Sequence, residues 1–252
     1  MMDTGESILP HLDRSRIRDF YEKADGRELE VKFHSPESSA ALAANALGLF
    51  LDDARPLVTA LGLRIDGPAK LKLEQCLRFP WSGGRHPWLD AVIETPDSLI
   101  AIESKRYEPF RGSKNGAFST AYLKPVWGEG MARFLAQRDA IMDGSSEYDF
   151  LDTTQLVKHA FGLATQSRKQ GRRPFLVYLH AEPDRWPNGS RVSAERILAH
   201  RAERDRFEAA VKGDFVAFHV MDYRGLLYNL SNSGDAYVQR HVDLVIDRFA
   251  PL

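Results

Sequence analysis

Between Trp88 and Lys105 the chain carries two strand-forming runs joined by a tight turn, and this segment restricts what the rest can build. Val92, Ile93, Ile100 and Ile102 favour extended backbone. Pro96, second in Thr95-Pro-Asp-Ser98, presets the backbone angle of a type I turn. Whether Thr95 opposes Ser98 or Glu94 opposes Leu99, the register is the same: Asp90 falls opposite Glu103, with Lys105 one step along the same face. Side chains alternate across a strand, so Leu89, Ala91, Ile93, Ile100 and Ile102 make the opposite, apolar face. The spacing predicts a hairpin with one core face and one charged face.

Two carboxylates about 5 Å apart repel by roughly 3 kcal/mol at an effective dielectric of ~20. A divalent cation relieves that repulsion, and oxygen ligands with vacant positions suit Mg²⁺ or Mn²⁺. Such an ion holds phosphate oxygens and lowers the pKa of a bound water, while the Lys105 ammonium orients that water or neutralises developing charge. The set implies phosphodiester hydrolysis. The competing reading is a solvated strand face that happens to carry charges.

Asp90 with Glu103-Ser104-Lys105 resembles the Asp, Glu-x-Lys signature of the PD-(D/E)XK nuclease superfamily, the restriction-endonuclease-like fold. The wider stretch, Leu73-Glu-Gln-Cys-Leu-Arg-Phe-Pro-Trp81, Leu89-Asp90 and Ile102-Glu-Ser-Lys-Arg-Tyr-Glu108, is similar to bacterial restriction endonucleases of unknown target. The similarity covers roughly residues 37 to 181, and the family's proline-aspartate step is relaxed to Pro87-Trp-Leu-Asp90. The resemblance implies that Asp90, Glu103 and the Ser104 backbone carbonyl hold Mg²⁺ or Mn²⁺ and that Lys105 serves the attacking water. It implies a nucleic-acid partner, DNA ahead of RNA, and is compatible with a homodimer.

The expected fold is α/β, ordered helix, three antiparallel strands, helix, strand, in one domain over residues 1–252. Residues 1–36 and 182–252 are expected as peripheral, mainly helical additions. The 34 basic and 35 acidic residues nearly cancel, so a nucleic-acid surface must be a local patch. Cys76, the single cysteine, excludes intramolecular disulfides and cysteine-rich zinc sites. The first residues lack the basic and apolar regions of a signal peptide, and Ala40–Leu51 is too short to span a bilayer, so the expectation is a cytoplasmic protein without a membrane partner.

Along the chain, residues 12–25 read as a charged helix and Ser38–Leu51 as a more buried one. Lys70–Phe79 alternates as a first strand, with Leu71, Leu73, Gln75, Leu77 and Phe79 on one side and Glu74 on the other. Gly83-Gly84 signals the turn that follows. A helix within 125–142 is expected to turn Arg133, Gln137 and Arg138 to solvent. Asp152-Thr-Thr-Gln155 is an N-terminal capping pattern for a helix to about Gln170, with Leu156, Ala160, Leu163 and Ala164 buried. A strand over 174–181, a helix over 193–211, a strand over 214–222 and an amphipathic helix over 235–249 complete the chain.

Glu74 is a candidate third acidic ligand or a surface charge between Lys72 and Arg78. Glu108 follows the motif as a loop contact or a support for it. Gln155, His159, Gly162 and Gln166 lie on one helical stripe. Gln155 and His159 could reach the site to hold water or phosphate, or the stripe could be buried against the sheet. Arg106, Arg111 and Lys114 form one candidate phosphate-binding cluster. Arg168, Lys169, Arg172 and Arg173 form another, or else serve the negative end of their helix. Arg191–Arg206 reads as a solvated helix face. No phosphate-binding loop, Gly-x-Ser-x-Gly turn or His-Glu-x-x-His pattern occurs. The second reading of the whole chain is a nuclease-fold binding protein that no longer cleaves.

Overall fold

The structure is a computed structural model that describes residues 7–24, 33–81, 85–112 and 116–252. Its centre is a five-stranded sheet whose spatial order equals the chain order. Strands β1 (Lys70–Cys76), β2 (Trp88–Glu94) and β3 (Ser98–Lys105) form an antiparallel meander. Strands β4 (Arg173–His180) and β5 (Ala217–Asp222) then add in parallel to β3. A parallel addition needs a crossover, and α5 (Thr153–Gln170) supplies it between β3 and β4.

The hairpin register is the expected one: Ala91 pairs with Ile102, Ile93 with Ile100 and Glu94 with Leu99. The turn closes through Thr95 N–H donating to Ser98 O at 3.0 Å, with Ser98 N–H donating to Thr95 Oγ1 at 2.8 Å.

Helices cover both faces of the sheet. On one side, α1 (Arg14–Glu22), α2 (Ser39–Leu47), α3 (Arg55–Ala60), α7 (Tyr223–Ser231) and α8 (Ala236–Phe249) bury residues such as Leu42, Leu57, Leu227 and Val242 against Ile93, Ile100, Ile102 and Val177. On the other, α4 (Ala132–Asp143), α5 and α6 (Ala194–Val211) bury Phe134, Phe161 and Phe207 against Val92, Ala101, Leu176 and Tyr178. A sheet apolar on both faces needs this three-layer arrangement. Residues 182–252, expected as periphery, thus contribute an edge strand and two helices to the layer over Ile100. Among the described residues no helix is long and apolar enough to cross a membrane.

The division into a core face and a charged face needs correction. Val92 and Ala101, on the expected charged face, are buried under the α5 layer. Alternation also breaks within β1 and β2. Leu71 and Leu73 join the first cluster, whereas Leu77 and Phe79 join the second. Ala91 joins the first, whereas Leu89 joins the second. The break falls at Glu74, whose φ of 48° is the left-handed conformation, and at Asp90 beside it. A left-handed residue rotates the strand that follows, so the side chains beyond it change layers.

Local signals otherwise read as expected. Asp152 accepts from Gln155 N–H at 2.8 Å, capping α5, and Ser38 caps α2 by accepting from Ala41 N–H at 3.0 Å. Arg138 departs from expectation: its side chain is 11% exposed and donates to the Tyr122 carbonyl and to Asp139. Gly83 and Gly84 lie outside the described residues.

Gly162 sets how closely α5 approaches the sheet. A Cβ there would lie 2.8 Å from Pro87 Cγ, 2.9 Å from Leu77 O and 3.1 Å from Leu77 Cβ. The backbone oxygen cannot step aside. Gly162→Ala should therefore destabilise the protein by about 1–3 kcal/mol despite alanine's better helix propensity, read as a lower midpoint in urea. A midpoint at or above wild type would show that α5 has room to spare.

Candidate catalytic cleft

At the carboxyl ends of β3 and β4, where parallel strands commonly present their ligand sites, the surface opens into a cleft of about 620 Å³. Asp90, Glu103, Ser104, Lys105, Glu74 and Gln155 all line it. Beyond β3 the walls come from residues 35–40 at the start of α2, from 107–112, and from 149–155 leading into α5. Two helices begin at this cleft, and their N-terminal dipoles favour negative charge there.

Each successive residue at the end of β3 goes to a different partner. Glu103, 2% exposed, turns towards α5; its Oε1 accepts from Lys105 Nζ at 2.5 Å, and its Oε2 lies 3.2 Å from His159 Nδ1. Ser104 turns the other way, its Oγ 2.7 Å from Tyr223 OH on α7. The Ser104 N–H donates to Asp90 Oδ2 at 2.6 Å, so a carboxylate takes over where the β2–β3 pairing ends at Ala91 and Ile102. Lys105 returns to the Glu103 side.

Burial, and then the neighbouring Glu103 charge, push the Asp90 carboxyl well above the ordinary aspartate range. Burial also raises Glu103, partly countered by Lys105. For Lys105, burial opposes the charge, but Glu103, Asp90 and Glu108 outweigh it and hold the ammonium above the usual lysine value. His159 is the reverse case: burial and the Lys105 charge lower it to about 3, so it is neutral at physiological pH. Glu74 is 9% exposed in its left-handed backbone conformation, on the cleft wall.

The cleft is rich in acid. Among the described residues, Glu37, Glu74, Asp90, Glu103, Glu108, Asp149 and Asp152 face it, with Lys105 and Arg111 as the cations. Several are already engaged: Glu37 pairs with Arg111, and Glu108 accepts from Ser39 Oγ at 2.5 Å and from Arg106 N–H at 2.8 Å. Hard oxygen donors whose carboxyls are raised by burial and mutual repulsion fit Mg²⁺ or Mn²⁺, which would remove the cause of the shift.

The expected basic clusters divide. Arg106 is buried and donates to the Pro36 and Phe249 carbonyls, fastening the end of α8 beside Lys105. It is therefore a tie between segments and does not face the cleft. Arg111 lies at the cleft over the Trp186 ring, and Lys114 lies outside the described residues. Arg168 donates to the Trp127 and Glu129 carbonyls, Arg173 pairs with Asp97, and Arg168 and Lys169 stand in the last turn of α5, as the helix-end reading expects.

Sequence reasoning missed Glu203. Counted within a solvated helix face, it is 8% exposed and accepts the N–H groups of Asp149, Phe150 and Leu151 at 2.8–2.9 Å, which shapes the cleft wall before α5. Nothing local in α6 marks it, because its partners lie some fifty residues earlier. A second group, His180, Glu182 and His200, has ligand atoms within 4.8 Å of one another. Arg201 occupies the Glu182 carboxylate at 2.5 Å, and Arg204 meets His180 Nε2 at 2.6 Å, so guanidinium charge fills the place of a cation.

A three-layer α/β fold with a carboxylate and lysine cleft at the ends of its strands is the setting of a restriction-endonuclease-like protein. The chain belongs to the family described as Restriction Endonuclease associating with ARP, whose model matches residues 6–249. Nuclease is the class of activity that this description names. No curated protein and no solved structure matches the chain.

The shifted carboxylates carry a consequence for the metal-free protein. A folded pKa above the unfolded one means that the folded state binds more protons between the two values, so stability falls as pH rises through that window. For Asp90 the window opens near its ordinary value of about 3.9 and extends upwards. In EDTA, the melting temperature of wild type should fall between pH ~5 and pH ~8. Asp90→Asn keeps an acceptor for the Ser104 N–H and should show a shallower fall, with equal or higher stability at pH ~8. Parallel profiles for the two proteins would mean that Asp90 is an ordinary solvated acid.

Proposed function

We propose that the protein is a metal-dependent nuclease of the PD-(D/E)XK type that hydrolyses phosphodiester bonds of DNA. The observation that carries this reading is the triad in one cleft, a buried Glu103 beside half-buried Asp90 and Lys105, with Lys105 Nζ 2.5 Å from Glu103 Oε1 and Asp90 bound to the intervening Ser104 N–H. A surface charge cluster would have no reason to desolvate two carboxylates and an ammonium together.

In this reading Asp90, Glu103 and the Ser104 carbonyl hold Mg²⁺ or Mn²⁺, with Glu74 as a further acidic ligand. The ion supplies charge neutralisation for the phosphate and acidifies a bound water. Asp90 keeps its place through the Ser104 N–H on Oδ2, which leaves Oδ1 for the ion. Lys105, held protonated by the surrounding carboxylates, places its charge where the attacking water and the phosphate oxygens meet. Gln155, at the start of α5 on the cleft wall, orients water or a phosphate oxygen. Glu108, tied to Ser39 and to the Arg106 N–H, holds the segment after β3 against α2. Residues 37–181 run α2 and α3, three antiparallel strands, α4 and α5, then a parallel strand; this contains the helix, three strands, helix, strand order expected of such a core and supports the reading. The acid-rich cleft bears on the alternative of a binding protein without catalysis: the seven acids that face it among the described residues repel a polyanion, and a bound cation would relieve that repulsion before a phosphate approaches.

Cleavage of plasmid and of oligonucleotides should require Mg²⁺ or Mn²⁺ and stop in EDTA, with RNA substrates compared in parallel. Lys105→Ala should abolish turnover at saturating Mg²⁺ yet still take up Mn²⁺ in a calorimetric titration, because a lysine offers no acceptor to the ion. Wild-type turnover in that variant would remove Lys105 from the chemistry. A wild type that binds DNA and cleaves nothing with either metal would favour the binding protein.

A further inference from the structure

The polar stripe of α5 serves a different contact at each step. Gln166 Nε2 donates to the Arg78 carbonyl at 2.9 Å, and Gly162 lets the helix close on Pro87 and Leu77. Gln155, at the other end, lines the cleft. Between them His159 is 2% exposed, with Nδ1 3.2 Å from Glu103 Oε2. No hydrogen bond is aligned on that nitrogen.

A buried ring nitrogen that faces a carboxylate and has nothing else to bond is a donor held in reserve, since buried polar groups are otherwise almost always satisfied. We infer that His159 is a positioning residue for Glu103, whose Nδ1–H closes on Oε2 when a divalent cation draws the carboxylate into place. This rests on the reading of Asp90 and Glu103 as metal ligands. Two features of the site support it. The opposite tautomer would set the Nδ1 lone pair against the oxygen lone pairs of Glu103, so the carboxylate itself selects the Nδ1–H form. Lys105 already holds Oε1, and a second donor on Oε2 fixes the rotation of a carboxylate that one donor leaves free to swing.

Partners that hydrogen-bond metal ligands from behind contribute about 10- to 100-fold in metal affinity. The test titrates Mn²⁺ into wild type, His159→Phe and His159→Asn by calorimetry. The phenylalanine variant keeps a ring in the packing but offers no N–H; its Mn²⁺ affinity should drop about 10- to 100-fold. The Mg²⁺ concentration for half-maximal cleavage should rise with it, while the KM for DNA measured at saturating Mg²⁺ stays put. Asparagine, which offers an N–H again, should recover part of the loss. Imidazole ¹⁵N spectra of the wild type supply a measurement independent of any variant, expecting the His159 proton on Nδ1 and its exchange slowed on adding Mg²⁺. Mn²⁺ affinity at the wild-type level in His159→Phe overturns the inference, as does a proton found on Nε2, and either result leaves the metal site itself standing. Failure of the wild type to take up Mn²⁺ at all removes the metal site, and the inference with it.

Discussion

The Glu103 carboxylate is buried at the end of a central strand, and much of the surrounding structure answers to that. An ionised carboxylate taken out of water costs several kcal/mol unless charge and hydrogen bonds meet it. Lys105 meets it from the same strand, two residues on and on the same face. His159 approaches from α5, and the residue between, Ser104, spends its hydroxyl on Tyr223 of α7 and its N–H on Asp90 of β2. One strand end therefore joins both helical layers and the neighbouring strand. Moving any of them changes the electrostatic position of Glu103.

The same logic explains why the cleft tolerates so much acid. Glu37 and Glu108 are consumed by Arg111, Ser39 and the Arg106 amide, and Asp152 caps α5. Asp90 and Glu103 differ in that their carboxyls are raised by burial even with the Ser104 N–H and Lys105 beside them.

Much of this was legible in the sequence wherever the cause is local. The turn at Thr95–Ser98 determines the hairpin register, and with it the meeting of Asp90, Glu103 and Lys105 in one cleft. Asp152 announces the start of α5, and the four-residue stripe on that helix ends at the cleft with Gln155. Long-range causes left no such mark. The left-handed backbone at Glu74 breaks an alternation that reads as perfect in β1 and sends Leu77 and Phe79 to the opposite layer from Leu71. Arg106 looks like a phosphate ligand because it follows Lys105, yet it is buried by Pro36 and Phe249, the latter from the end of α8. Glu203 sits among exposed charges and differs from them only in what it reaches.

Because spatial strand order equals chain order, each strand emerges during synthesis beside a partner already made, so the sheet can grow sequentially even across its long helical crossovers. The contacts that hold the end of β3 obey the opposite rule. Ser104 waits for Tyr223, and Arg106 waits for the Phe249 carbonyl, nearly the last described turn of the chain. A nascent chain on the ribosome can thus have its hairpin in register while the helices that brace its acidic tip are still unmade. The acidic end of β3 is therefore fully braced only once α7 and α8 have both been made.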